Sequence, residues 1–543
     1  MTVPAPAQPR QTPPKVGTKL SVQVGAVVFG RLIVSIFDGL KAFAIVRLMD
    51  KEAYGSLAFT LTVLATATGL GLLAIPDSQL FFLPRLSPAR QRTLVRQSLQ
   101  LLTGLGLVSA LVIAALALVP GLQPSSHVGL TVPLLVIAVT VVFEFPSSAL
   151  TSFLLGVERH QVSSLWTMAV SLASNLSLLV PAALGADLET LLAVYLLVAI
   201  ARLAATIGVW QSVYRGVMPE PFPGGMRAQL AFAVPLWLNS VAGQVNKYFS
   251  TYVVGFIFTS VVFADYTVGA QELPFIGILS YSVAVAMLPR MSAIASEGDD
   301  RTAAARDAIG LWHTGIEKVA LVILPIFVFA MAQAEPVIVL LYGKNYAAAA
   351  LPFRMFLCLL PLRVTAYGTM LMALGHPRAI LRSQLAGVIV NTAINFALVA
   401  FVLTVGRHAP AGTYDHLGLG WAAFGSVAAQ VVIIVVLLRQ IATVSQLSMA
   451  RVFPWVPYRR RFLAAVLAGV VLLPWTTWAV ALGWPVPDVG DGVSGMAVGL
   501  VVRLVLYAAT YLGLAHAFDL LTADDRRYVW AWLKLEPLWR RNA

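Results

Sequence analysis

The stretch GRLIVSIFDGLKAF, Gly30 to Phe43, lies inside an apolar segment from residue 22 to residue 46 and carries Arg31, Asp38 and Lys41. A segment of this length can cross a bilayer as an α-helix. At about 100° per residue, the three ionisable side chains fall within roughly 80° of one another on the helix face. Because charges facing lipid are costly, we expect a membrane helix whose polar face is turned toward a protein interior or a water-filled cavity.

The composition of the whole chain predicts an all-α polytopic membrane protein. Of its 543 residues, 59% are hydrophobic and only 11% are charged, and the mean hydropathy is +0.83. Apolar runs of about 20 residues recur along the chain, and their number predicts about 14 transmembrane helices. The single cysteine, Cys358, excludes an internal disulfide. The sequence shows no catalytic constellation and no metal-ligand spacing, so we predict neither an enzyme nor a metal site.

Basic residues are distributed unevenly between the two sides of the predicted bundle. With the amino terminus placed inside, 25 of the 37 Lys and Arg residues fall on the inner side and 4 on the outer side. This bias predicts that both termini are cytoplasmic. It also accounts for the net charge of +13 without nucleic acid, because basic inner loops contact anionic lipid headgroups.

Two pairs of matching segments indicate an internal repeat. They are FFLPRLS (Phe81 to Ser87) with AMLPRMS (Ala286 to Ser292), and FLLGVER (Phe153 to Arg159) with LMALGHPR (Leu371 to Arg378). Gly156 maps to Gly375 and Arg159 to Arg378, so helices 1–6 resemble a copy of helices 7–12. Six is an even number, so both copies keep the same orientation, and a secondary transporter with its substrate route between two lobes is expected.

The repeat divides the chain into segments. They are a disordered cytoplasmic arm (1–19), an N-terminal lobe (20–214), a cytoplasmic linker (215–228), a C-terminal lobe (229–440), two additional helices (461–518) and a cytoplasmic interfacial tail (519–543).

Several motifs resemble those of bacterial polysaccharide-biosynthesis flippases. They are VRLMDKEAYGSLAF (Val46 to Phe59), FADYTVGAQELPF (Phe263 to Phe275) and LLYGKNYAAAALPFRMF (Leu340 to Phe356). The resemblance covers about residues 20–440 and implies membership of the multidrug/oligosaccharidyl-lipid/polysaccharide exporter (MOP) superfamily. This superfamily includes Wzx-type flippases, the lipid II flippase and MATE drug antiporters. The resemblance also implies that the two additional helices form a groove for a polyprenyl tail.

Ionisable residues within the predicted spans are the candidate site residues. We expect Arg31, Lys41, Lys247 and Arg363 to line a substrate cavity, and Asp38, Glu144 and Glu272 to balance charge or couple transport to an ion. Lys41 and Lys247 occupy corresponding positions in the repeat and should face each other. Structural ion pairs that lock helices together are the alternative for these charges. Arg202 is expected near the inner surface, and Arg503 either at the outer interface or paired with another helix.

The basic excess among these residues favours an anionic substrate. We therefore predict a flippase for a polyprenyl-pyrophosphate-linked oligosaccharide in surface polysaccharide assembly, such as exopolysaccharide or O-antigen. A lipid II flippase and a MATE-like cation or drug antiporter are the alternatives. The expected partners are the lipid-linked oligosaccharide, membrane lipids, a polysaccharide polymerase and export machinery. No cofactor is expected, while a Na⁺ gradient, a H⁺ gradient and the membrane potential remain open as energy sources.

Overall fold

In a computed structural model of the chain, the described residues are 34, 37–119, 122–124, 129–271, 274–296, 300–404, 415–472 and 493–521. Every regular element within these ranges is a helix, which confirms the predicted all-α class. Two predicted site residues, Arg31 and Glu272, lie outside the described residues. So do the predicted arm (1–19) and all of the predicted tail beyond residue 521.

The first half of the described chain forms an antiparallel bundle in which α4 packs on α5, and α5 packs on α7. Its helices are α1 (37–48), α2 (Lys51–Gly71), α3 (Ile75–Phe82), α4 (Pro88–Leu118), α5 (Thr131–Gly156), α6 (His160–Ala183) and α7 (Leu188–Val213). Local signals set several of these boundaries. Pro88 opens α4, where its missing N–H costs nothing, and the Asp187 carboxylate accepts the Thr190 N–H to cap α7.

The second half forms a similar bundle, in which α15 packs on both α8 and α16. Its helices are α8 (Gly225–Ile257), α9 (Ser260–Gly269), α10 (Pro274–Ser296), α11 (Arg301–Ala332), α12 (Ala334–Tyr342), α13 (Ala350–Leu357), α14 (Tyr367–Ala373), α15 (Arg378–Thr404) and α16 (Asp415–Ser445). The predicted repeat matches this arrangement at one junction. Arg159 is the residue immediately before α6, and its counterpart Arg378 is the first residue of α15.

Three further helices complete the described chain: α17 (Met449–Val452), α18 (Trp455–Gly469) and α19 (Val493–Ala517). They pack beside the second bundle, since α18 contacts α11 and α19 contacts α12. The Arg461 guanidinium of α18 lies 2.9 Å from the Glu317 carboxylate of α11. Tyr511 of α19 donates to the Leu321 carbonyl at 3.0 Å. These partly buried polar contacts attach the two additional predicted helices to the second bundle.

By length and composition, nine helices of the described residues can cross a membrane. Fewer spans are found than the predicted fourteen partly because some predicted spans are broken, such as the second, which divides into α2 and α3. Large apolar side chains point outward, including Leu111 at 72% exposure and Val505 at 60%. Such side chains are stable on the outside of a bundle only against lipid.

The two bundles share one hydrophobic core, and α2 of the first packs against α8 and α9 of the second. Phe59 of α2 is fully buried and makes an edge contact with Phe263 of α9. The backbones approach most closely at Gly55, where an added Cβ would lie 2.0 Å from the Ser260 carbonyl oxygen. Glycine is therefore required there for the two bundles to meet.

We expect Gly55→Ala to destabilise the contact between the two bundles. Overpacking against a backbone carbonyl costs about 1–3 kcal/mol or more, because no flexible side chain can yield. The measurement is thermal unfolding of the detergent-solubilised chain. Gly104→Ala is the matched control, since nothing lies within 4 Å of an added Cβ there, and alanine favours its helix by up to about 1 kcal/mol. Equal unfolding midpoints for the two variants would contradict the predicted contact.

Candidate functional site

A cavity of about 620 Å³ lies within the second bundle. Its lining comes from α8, α9, α13, α15 and α16, from the segment that joins α13 to α14, and from Thr62 of α2 in the first bundle. Two of the predicted site residues, Lys247 and Arg363, line it together. The structure therefore brings these two basic residues to one cavity, Lys247 from α8 and Arg363 from the non-helical segment between α13 and α14.

Lys247 lies on α8 and is exposed to the cavity rather than buried in the helix packing. Its Nζ atom lies 5.0 Å from the centroid of the neighbouring Tyr248 ring, a cation–π contact. No carboxylate of the described residues forms an ion pair with Lys247. A lysine ammonium in this position keeps its three donors available to a ligand.

A ladder of amides and hydroxyls fixes α8 against α15 and α16. Asn246 Nδ2 donates to the Gln384 carbonyl at 2.9 Å, and Asn391 Nδ2 donates to the Asn246 carbonyl at 3.0 Å. Ser250 Oγ donates to Asn391 Oδ1 at 2.9 Å and accepts from Asn395 Nδ2 at 3.0 Å. These hydrogen bonds leave α8 little freedom to rotate, so Lys247 is kept on the side of the helix that faces the cavity. The Oδ1 atoms of Asn246 and Asn395 are buried without a donor among the described residues.

Arg363 lies where a predicted membrane helix is broken. The chain leaves helical geometry between Leu357 and Tyr367, around Pro361, which has no N–H to donate. Non-helical backbone at membrane depth requires other partners, and side chains from elsewhere supply them. Tyr458 of α18 donates to the Pro361 carbonyl at 2.8 Å, and Ser280 of α10 donates to the Arg363 carbonyl at 2.5 Å.

The cavity lining combines positive charge with neutral hydrogen-bonding groups. Lys247 and Arg363 are its basic members, and no carboxylate lines it among the described residues. The neutral polar members are Thr62, Asn246, Tyr248, Thr251, Thr267, Gln271, Gln384, Ser426 and Gln430. Phe353, Phe356 and several leucines provide apolar walls. Such a lining can bind an anion that also carries hydroxyl groups.

The first bundle holds the other described candidates. Asp38 Oδ1 of α1 accepts hydrogen bonds from Asn175 Nδ2 at 2.8 Å and from Ser171 Oγ at 3.2 Å, both on α6. Lys41 is half-buried one turn after Asp38 and is not among the described residues that line the cavity. Lys41 and Lys247 were predicted to face each other across one cavity, but of the two only Lys247 is among the described residues that line it.

Glu144 of α5 is engaged in an ion pair with Arg202 of α7. The Glu144 Oε1 and Arg202 Nη1 atoms lie 3.0 Å apart, and each side chain is 13% exposed. Tyr195 Oη donates to the same carboxylate at 3.3 Å. The sequence placed Arg202 near the inner surface, and its pairing across α5 and α7 was missed because 58 residues separate the partners.

Sequence reasoning also missed an ion pair that joins the two bundles at the end predicted to face outside the cell, hereafter the predicted outer end. Lys51 Nζ of α2 lies 2.7 Å from Asp265 Oδ1 of α9, and the two side chains are 19% and 7% exposed. Lys51 also donates to the Asn345 carbonyl at 2.7 Å. Opposite charges in or next to the corresponding motifs Ala53-Tyr54 and Ala264-Asp265-Tyr266 are the signal that could have predicted this pair.

Aromatic contacts link this ion pair to hydrogen bonds at the cavity wall: Lys51 Nζ lies 5.1 Å from the Tyr346 ring centroid, and that ring contacts the rings of Tyr54 and Tyr342. Tyr342 Oη donates to Gln271 Oε1 at 2.7 Å, and Gln271 Nε2 donates to Tyr54 Oη at 3.4 Å. Gln271 is itself a lining residue of the cavity. The contacts that close the predicted outer end therefore reach the cavity wall directly.

Comparisons with known proteins agree with this architecture. The family model described as polysaccharide biosynthesis protein matches residues 23–295. No curated protein sequence matches the chain. The fold is similar to that of the lipid II flippase MurJ in an inward closed conformation, with a TM-score of 0.64 and 14% identity over 92% of this chain and 98% of that chain. It is also similar to an inward-facing MATE family multidrug resistance transporter of the MOP superfamily, with a TM-score of 0.53 and 14% identity over 78% and 99%.

We expect Arg202→Leu to destabilise the first bundle strongly. Removing one partner of a buried pair leaves an uncompensated carboxylate, which costs roughly 3–5 kcal/mol. The double variant Glu144→Leu/Arg202→Leu should recover much of this loss, because neither charge of the pair is then left without its partner. Unfolding of the purified variants in detergent measures both effects. A double variant no more stable than Arg202→Leu would show that the pair has no such structural role.

Proposed function

The chain belongs to the polysaccharide biosynthesis protein family and is a MOP superfamily membrane transporter rather than an enzyme, and from this premise we propose its substrate. The proposed substrate is a polyprenyl-pyrophosphate-linked oligosaccharide, moved from the cytoplasmic to the outer leaflet for surface polysaccharide assembly. The observation that carries this proposal is the 620 Å³ cavity, which Lys247 and Arg363 line with no carboxylate among the described lining residues.

The chemistry of the cavity suits such a headgroup. A pyrophosphate carries negative charge on oxygens that accept hydrogen bonds, and Arg363 offers a planar fork of donors while Lys247 offers a compact charge. The amide and hydroxyl side chains around them can bind sugar hydroxyls. Phe353 and Phe356 supply flat apolar surface against which sugar rings can pack.

The proposed transport follows alternating access in a bacterial inner membrane, with both termini cytoplasmic. The excess of basic residues on one side supports this orientation. In the described conformation the Lys51–Asp265 pair holds the two bundles together at the predicted outer end. The headgroup then enters the cavity from the cytoplasm, and release outside requires this pair to separate while the lipid tail stays in the bilayer.

Asp38, Glu144 and Glu272 are the proposed coupling or charge-balancing residues. Glu144 balances the charge of Arg202. Asp38 accepts its hydrogen bonds from neutral groups, Asn175 and Ser171, so it is the described carboxylate best suited to bind a proton or Na⁺ during transport. In this proposal a cation gradient or the membrane potential drives the cycle, without a resident cofactor.

The proposed partners are the lipid-linked oligosaccharide, the surrounding lipids, and a polymerase with export machinery that consumes the translocated units. The first alternative substrate is lipid II, which the fold similarity to the lipid II flippase favours. The second is an organic cation, as in MATE transporters, and the basic lining of the cavity weighs against it.

We expect Lys247→Ala to abolish most of the export. Loss of one charge-assisted contact of roughly 1.5–3 kcal/mol weakens headgroup binding about 10–100-fold. Cells whose gene encodes this variant in place of the wild-type protein should accumulate lipid-linked oligosaccharide and lose surface polysaccharide, while the variant protein stays in the membrane. Lys318→Ala is the matched control, an exposed lysine outside the cavity.

The same cells distinguish the alternatives. Full export by Lys247→Ala would reject the cavity assignment. After deletion of the gene, lysis would identify lipid II as the substrate, whereas drug hypersensitivity with normal polysaccharide would identify a cation antiporter.

The Lys51–Asp265 pair leads to a separate prediction. We expect Lys51→Asp and Asp265→Lys each to reduce export severalfold, because like charges would then face each other where the two bundles meet. The double reversal Lys51→Asp/Asp265→Lys should restore part of the activity. Export that is equally low in the double variant would argue that the pair does not act as a unit.

A further inference from the structure

A second cavity, of about 330 Å³, lies between α12 and α19, away from the transport cavity. Its lining residues are Glu335, Pro336, Val339, Met496, Gly499, Leu500 and Arg503, and none of them lines the larger cavity. It therefore combines one carboxylate and one guanidinium with apolar walls, at the half of the bundle nearer the predicted outer end.

Arg503 lies on a helix with a lipid-facing side. Its neighbours Val501 and Val505 are 58% and 60% exposed, as lipid-facing residues are. Side chains on a helix lean toward its amino terminus, so the Arg503 guanidinium is directed toward the level of Leu500 and the predicted outer surface. Arg503 Nη1 donates to Gln333 Oε1 at 2.8 Å, whereas its buried Nε has no acceptor among the described residues.

Glu335 supplies the opposite charge on the other wall. It lies in the first turn of α12 and is exposed, and no ion pair of the described residues includes it. A cation and an anion that line one cavity without pairing each need a counter-charge in a membrane. A ligand with a phosphate and an ammonium a few bonds apart supplies both.

We propose that this cavity binds the headgroup of an ethanolamine phospholipid from the outer leaflet. The phosphate accepts hydrogen bonds from Arg503, including the unsatisfied Nε, and the primary ammonium donates to the Glu335 carboxylate. The acyl chains then lie along the exposed valines and leucines of α19. Phosphatidylglycerol lacks the ammonium, and the choline group of phosphatidylcholine has no N–H to donate, so both bind less well. The proposal is independent of the transported substrate.

The test measures which phospholipids bind to the purified full-length chain. The protein is equilibrated with mixed micelles of equimolar phosphatidylethanolamine, phosphatidylglycerol and phosphatidylcholine, and bound lipid is counted by native mass spectrometry. We expect phosphatidylethanolamine to exceed each of the other two by about tenfold or more, the level that one charge-assisted contact provides. Equal occupancy by the three lipids would overturn the proposal.

Glu335→Gln is the discriminating variant, because its side chain is exposed and its loss should not impair folding. It should remove the preference for phosphatidylethanolamine over phosphatidylglycerol and leave total phospholipid binding largely intact. Glu189→Gln, another exposed glutamate in the first turn of its helix, should keep the wild-type preference. An unchanged preference in Glu335→Gln would also overturn the proposal, whatever the result for transport.

Discussion

Ionised groups inside a membrane need a partner, and this constraint governs how the structure is put together. Described ion pairs meet it at three places: Glu144 with Arg202 inside the first bundle, Lys51 with Asp265 between the bundles, and Glu317 with Arg461 beneath the added helices. Lys247 forms no ion pair with a described carboxylate, and it opens onto a 620 Å³ cavity. In the proposed function, the substrate supplies the counter-charge that the described residues do not give Lys247.

Hydrogen bonds connect the wall of this cavity to the predicted outer end and to the added helix α18. Gln271 belongs both to the cavity wall and to the hydrogen bonds that close the predicted outer end through Tyr54 and Tyr342. Tyr458 of α18 supports the broken backbone at Pro361, two residues before Arg363. A headgroup that contacts Gln271 and Arg363 would therefore influence both the closed outer end and the two added helices.

Much of the fold and part of the candidate site could be predicted from the sequence, and the features that were not predicted have physical explanations. Composition fixes the membrane class, because 59% hydrophobic residues cannot be hidden in a soluble core. Lys247 and Arg363 were predicted as site residues because they lie within predicted membrane spans, and the structure brings both to one cavity. Periodicity assigns a residue to a helix face but not to a neighbouring helix, so the partners of Glu144 and Lys51 were not foreseen. A hydropathy plot shows a broken span as one continuous span. Pro361 alone therefore did not show that the chain is non-helical between Leu357 and Tyr367.

The central claim is that the cavity selects a negatively charged, sugar-bearing headgroup. Equilibrium binding to the purified wild-type chain tests it most directly, with a short-chain polyprenyl-pyrophosphate-linked saccharide and an organic cation compared at several salt concentrations. The account predicts saturable binding of the pyrophosphate compound that weakens as salt rises, and no saturable binding of the cation. Saturable binding of the cation together with none of the pyrophosphate compound would contradict it.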